Sequence, residues 1–154
     1  MEKTNAMRQL DRKKIAYRVH SYDGGALSGT EVAAALGQDA GRVFKTLVTV
    51  AKSGGHYVFM IPVAASLDLK KAAAAVGEKA LSMLPQKDLL PLTGYVHGGC
   101  SPIGMKKQFP TVLHSSAMQF DTICFSAGRI GLQIEASPAA LSSVVPLKTA
   151  DVTD

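Results

Sequence analysis

The chain has 154 residues, 47% of them hydrophobic and 19% charged, which suits one compact globular domain with its own core and excludes a disordered segment. A formal charge of +5 and a pI near 9.3 permit a polyanionic partner such as RNA without requiring one. The first residues, MEKTNAMRQLDRKK, hold no apolar run of a secretory signal, and Tyr57–Leu67, the longest apolar-leaning stretch, is broken by Pro62 and too short to span a bilayer, so a soluble cytoplasmic protein is expected.

Thr4 to Lys14 places Ala6, Met7 and Leu10 at helical spacing and ends in cations, predicting a first helix, with an extended segment over Ile15–Tyr22 after it. Ser28 and Glu31 form a capping box ahead of a short second helix that Gly37 stops. Val43–Ala51 and His56–Val63, rich in β-formers and joined through Ser53-Gly54-Gly55, predict a hairpin. Asp68 caps a third helix through LKKAAAAV, closed by Gly77, and Pro85–Leu90 predicts a further helical turn ended by Pro91. Three short strands are expected at Thr111–Ser115, Phe120–Ser126 and Gly131–Glu135, the last two pairing, and Pro138 opens a final helix through AALSSVV. Hairpins with helices between them point to a mixed α/β or α+β domain, with no repeat, linker or second domain.

Three stretches carry candidate chemistry. Gly98–Gly104, GGCSPIG, has a GxxxxG spacing, but Met105 stands where a phosphate-binding lysine is needed, so a nucleotide triphosphatase is excluded. The stretch also lacks the order of a nucleophile elbow, leaving Ser101 without support as a hydrolase serine. Cys100 reads as a small buried hydrophobe before it reads as a nucleophile with His97 as base. The two cysteines, Cys100 and Cys124, are too few for a disulfide framework, and His20, His56, His114 and Cys124 do not recur at paired ligand spacings, so no metal is expected. Gly98 and Gly99 can admit a ligand close to the backbone and aim N–H groups at it.

Lys45 lies in the apolar strand VFKTLVTV, where a charge is costly unless it faces water or a partner. Phe44 and Thr46 fall on one face and Val43 and Leu47 share the face of Lys45, so alternation leaves open whether the lysine is surface or pocket. Ser126 ends a hydrophobic strand, where its hydroxyl either holds a ligand or begins a turn.

VFKTLV around Lys45, GGCSPIG with its following MKK, and SAGRIGLQIE around Ser126 together resemble the YbaK/EbsC family of aminoacyl-tRNA deacylases, in its Cys-tRNA(Pro) deacylase branch. The similarity spans Lys3 to Val145. It implies a mixed β-sheet or partly closed barrel flanked by helices, and hydrolysis of the ester that joins cysteine to tRNA(Pro) after a prolyl-tRNA synthetase error. It also implies catalytic roles for Lys45 and Gly99, with Gly99 N–H directed at the ester carbonyl, and substrate contacts from Tyr22, Phe44, Thr46, Gly98, Ser101 and Ser126. In such enzymes the substrate's thiol attacks its own ester and leaves as a thiolactone, so the protein supplies geometry and oxyanion stabilisation and needs no cofactor. Cys100 departs from the aliphatic residue expected between Gly99 and Ser101 and reads as a packing substitution. The expected partners are tRNA(Pro) and prolyl-tRNA synthetase. Two other readings stay open, a deacylase for Ala-tRNA(Pro) or another small aminoacyl-tRNA, and a noncatalytic tRNA- or synthetase-binding module.

Overall fold

The computed structural model describes residues 2–23 and 27–154. Helix α1 (Asn5–Arg12) begins at Thr4, whose hydroxyl accepts from Met7 N–H, and buries Ala6, Met7 and Leu10 on one face. Strand β1 (Arg18–Ser21) follows. Helix α2 (Gly29–Leu36) carries both reciprocal bonds of the Ser28/Glu31 capping box and stops at Gly37, with φ at +67°. Strands β2 (Phe44–Ala51) and β3 (His56–Pro62) form the expected hairpin. Helix α3 (Leu69–Val76) is capped by Asp68.

Strand β4 (Leu81–Met83) was not predicted; three residues, two of them exposed, carry no strand pattern of their own. Helix α4 (Gln86–Thr93) runs past Pro91 instead of ending there. The proline falls in the last turn, where Gly94 N–H donates to Leu90 O and Thr93 Oγ1 to Leu89 O, so the carbonyls of that turn keep their partners. Strands β5 (Thr111–His114), β6 (Ile123–Ser126) and β7 (Leu132–Ala136) match expectation, β6 starting later because Ser115–Gln119 forms a 3-10 turn. Helix α5 (Pro138–Leu141) is shorter than predicted. Ser142 Oγ turns back onto Ala139 O at 2.6 Å, and Val144, Val145 and Pro146 cannot extend the helix. The last strand, β8 (Leu147–Ala150), is also unpredicted.

Among the described residues these strands form two sheets and no closed barrel. One is antiparallel, in the order β1-β7-β6; the other is mixed, in the order β4-β2-β3-β5-β8, with β5 parallel to both β3 and β8. An isolated parallel bridge between Val43 and Cys124 brings the sheets together. Between them Phe44, Met60, Leu113, Ile123, Phe125 and Ile134 pack with Met7 and Leu10 of α1, while Phe59, Ile61 and Val112 pack on the other face against Ala72 and Ala73 of α3. Strand β3 is thus covered on both faces, which is why it reads as the unbroken run VFMI in place of an alternation. No helix among the described residues is long and apolar enough to cross a membrane.

Phe125 is fully buried where the two sheets meet. Phe125→Ala is expected to cost about 3–5 kcal/mol of unfolding free energy, measured by urea denaturation.

Candidate active site

Strand β2 has a divided edge. β6 touches the chain at Val43 and then diverges, while β4 pairs only with Thr49–Ala51, its first reach being Leu84 N–H donating to Val48 O at 3.0 Å. Between these contacts Phe44–Leu47 has no strand pairing on that side among the described residues. A cavity of about 340 Å³ opens in this fork, within the range that holds small ligands. Phe44, Lys45, Thr46 and Leu47 all line it although they alternate between faces, because the cavity lies along the strand's edge. Face alternation could not decide the fate of Lys45 for that reason.

Lys45 is half-buried and, among the described residues, has neither an ion pair nor a hydrogen bond. Burial holds its ammonium below the ordinary lysine pKa of 10.5. Thr46 Oγ1 is buried without a partner. Opposite stand Ser126 at the end of β6, whose hydroxyl accepts from Gly128 N–H at 3.1 Å, and Tyr22 just past β1, whose N–H donates to Gly131 O. Gly98 and Cys100 complete this part of the wall.

Gly99 and Ser101 are placed differently from expectation. Neither lines the cavity, and Gly99 N–H is already donated to Val96 O at 3.0 Å, so it is not free for a substrate carbonyl. A Cβ on Gly99 would stand 3.0 Å from Ile130 N and 3.3 Å from Arg129 C, so this position needs glycine for close passage past the β6–β7 turn. Ser101 is fully buried and its hydroxyl accepts from Ile103 N–H. Tyr95 fastens the same loop through its hydroxyl, which donates to Ile103 O at 2.6 Å, and Gly104, at φ +83°, leaves that hydroxyl its room. The N–H groups of Gly98 and Cys100, by contrast, have no partner among the described residues.

Cys100 is 7% exposed and packs with Val48, Tyr95, Met105 and Phe109. Burial pushes its thiol up to about 12, and no hydrogen bond joins it to His97, which leaves it protonated and poorly suited to attack. The fold also gathers His20, Cys124 and Glu135 within 4.8 Å, a grouping that sequence spacing does not reveal because the three sit on different strands. Glu135 is already satisfied there. One carboxylate oxygen meets His20 Nε2 at 2.7 Å, the other accepts from Thr122 Oγ1 at 2.6 Å and from the Arg42 guanidinium, and burial raises the Cys124 thiol to about 11. A metal ion would have to displace these bonds beside a fixed positive charge. Gln133, absent from the sequence-level candidates, also lines the cavity; it is the cross-strand neighbour of both His20 and Ser126. Its visible signal is a polar residue in the strand run GLQIE.

These features define a mixed α/β domain with a cavity lined by a lysine, hydroxyl-bearing side chains and a glycine loop. The chain belongs to the aminoacyl-tRNA editing domain family, whose model matches residues 25–143. It is 48% identical, over 99% of its own length and 94% of the relative's, to the EbsC protein of Enterococcus faecalis, which bears the provisional name Cys-tRNA(Pro)/Cys-tRNA(Cys) deacylase. A solved structure provisionally described as a trans-editing enzyme for prolyl tRNA synthetase matches with a TM-score of 0.87 at 25% identity, covering 100% of this chain and 99% of that one. The hypothetical protein APE2540 shares the fold, with a TM-score of 0.87 at 22% identity over 98% of this chain and all of its own.

The depressed pKa of Lys45 has a stability consequence. The unfolded chain binds the lysine proton more tightly, so wild-type stability rises with pH between the folded pKa and 10.5. Lys45→Met is therefore expected to melt at or above the wild-type temperature at pH 7, with the difference shrinking as pH approaches 10.5; thermal melts across that range check it.

Proposed function

We propose that the protein is a single-domain trans-editing enzyme that removes cysteine from tRNA(Pro). The observation that carries this reading is the Lys45 ammonium at the open edge of β2, unpaired among the described residues, in a cavity where those residues join no nucleophile to a base. Proline and cysteine are close in bulk, and an apolar synthetase pocket separates ligands that differ by a methylene by only about 1–3 kcal/mol, so a second sieve is needed.

In this reading Lys45 anchors the terminal ribose or phosphate of the tRNA. Phe44, Thr46, Tyr22, Gly98 and Ser126 line and orient the aminoacyl group. The developing oxyanion is held by the Gly98 and Cys100 N–H groups, since Gly99 N–H is engaged within its own loop and Gly99 serves to bring that loop close. The substrate thiol attacks the ester carbonyl, the C–O bond to the ribose breaks, and the 3′-hydroxyl leaves with the thiol's proton as a thiolactone of cysteine departs. Water then opens the thiolactone. The protein's share is to hold thiol and carbonyl together, which suits a cavity without a triad.

The Lys106-Lys107 pair, exposed directly after the glycine loop, and the exposed Arg12-Lys13-Lys14 group supply phosphate contacts of modest strength, so affinity falls as salt rises. The name of the Enterococcus relative pairs Cys-tRNA(Pro) with Cys-tRNA(Cys), which supports recognition of the aminoacyl group over the tRNA body. Selection of tRNA(Pro) then comes from a complex with prolyl-tRNA synthetase.

Purified protein incubated with Cys-tRNA(Pro), Ala-tRNA(Pro) and Ser-tRNA(Pro) is expected to clear cysteine alone, and Lys45→Ala to abolish the reaction. Equal loss of all three esters would favour a water-based deacylase of broader range. Loss of none would favour a binding module.

A further inference from the structure

Gln133 sits on β7 with 6% of its surface exposed and contributes to the cavity wall. Its Oε1 is fully enclosed and meets no donor among the described residues, so the accessible end of the amide is the donating Nε2. Its two cross-strand neighbours are engaged elsewhere: Ser126 Oγ accepts from Gly128 N–H, and His20 Nε2 is joined to Glu135. A nearly buried NH2 group without an acceptor is unfavourable until a ligand supplies one.

The position of the amide narrows what that ligand atom is. Gln133 and Ser126 face each other on the last rung of the β6–β7 ladder, before the turn over residues 127–131, so their side chains share one face of the sheet. The glycine loop rests on that turn. A Cβ at Gly98 would stand 3.7 Å from Ile130 Cγ1, and one at Gly99 would stand 3.0 Å from Ile130 N. The Gln133 amide, the Ser126 hydroxyl and the N–H groups of Gly98 and Cys100 therefore gather at one end of the cavity. All four are able to donate, and no Asp or Glu among the described residues lines the cavity. This end suits an oxygen that accepts several hydrogen bonds and gains negative charge.

In an aminoacyl ester that oxygen is the carbonyl oxygen. We propose that Gln133 Nε2 donates to it and completes, with the Gly98 and Cys100 N–H groups, the cradle for the oxyanion. As the substrate sulfur bonds to the carbonyl carbon, the C=O π pair moves onto the oxygen that these donors hold. The pair returns when the C–O bond to the ribose breaks, and the 3′-oxygen leaves with the thiol's proton. Gln133 gives up no proton and acts as a catalytic residue through its hydrogen bond alone.

This inference rests on the editing reading, and its test separates the two. Cleavage of Cys-tRNA(Pro) is followed in a single turnover at saturating enzyme for the wild type, Gln133→Met and Gln133→Glu. Each protein is melted, and each is titrated with tRNA(Pro) that carries cysteine through a 3′-amide, a linkage that resists the thiol. Methionine matches the length of glutamine without a donor, and a glutamate carboxylate matches its shape and donates nothing. Gln133→Met is expected to slow cleavage on the order of a hundredfold, the scale of one lost oxyanion donor. Its affinity for the amide should stay close to that of the wild type, because the hydrogen bond strengthens only as charge develops. Its melting temperature should not fall, since the variant removes an enclosed oxygen that has no donor. Gln133→Glu should be slowed at least as much, its charge opposing the oxyanion. A variant that keeps the wild-type rate, one that loses rate and amide affinity in proportion, or a Gln133→Met protein that fails to fold overturns the role of Gln133 alone. A wild type that does not cleave Cys-tRNA(Pro) overturns the editing reading and this inference with it.

Discussion

The fork in the edge of β2 is the constraint on which the site depends. One strand cannot keep two different neighbours along the same edge without a gap between them, and here β6 is bridged at Val43 while β4 joins at Thr49. An unpaired strand edge ordinarily invites aggregation, and this one is set back inside a cavity roofed by α2 and the glycine loop. Everything assigned to the ligand lies around that gap: Lys45 and Thr46 on β2, Ser126 at the end of β6, Gln133 on β7, and Gly98 and Cys100 on the loop.

The electrostatics follow from the same geometry. Glu135, two residues along β7 from the cavity-lining Gln133, is engaged within its own network and held below the usual carboxylate range by bonds from Thr122 and His20. Lys45 therefore keeps its charge for something that arrives from outside, and burial makes leaving it unpaired unfavourable. The thiol that the protein places in the cavity, Cys100, is by contrast held protonated by its apolar surroundings. In the proposed reading the site fixes an anionic or polar ligand and leaves the bond-making to that ligand.

Much of this could be read from the sequence wherever the signal was local. The Ser28/Glu31 capping box, the hairpin about Gly54 and the alanine-rich helix after Asp68 each rest on neighbouring residues, and each formed as expected. Lys45 stood out because a charge inside VFKTLVTV demands a reason. What stayed hidden was set by distant pairing. β4 and β8 are short strands recruited by β2 and β5, and the gap beside Thr46 exists only because β4 joins late. Gln133 became visible only when its oxygen proved buried and unpartnered. Gly99 was expected to admit a ligand close to the backbone; what it passes closely is the backbone at Ile130, and its N–H is donated to Val96 O.

The central claim is that the cavity contributes geometry while the substrate contributes the nucleophile. The most direct measurement compares deacylation of Cys-tRNA(Pro) with that of α-aminobutyryl-tRNA(Pro), in which a methyl group replaces the thiol at nearly the same size. Thiol-assisted cleavage predicts rapid loss of the cysteinyl ester and survival of the aminobutyryl ester at its uncatalysed rate. Comparable rates for the two would contradict it and place the nucleophile on water held by the protein.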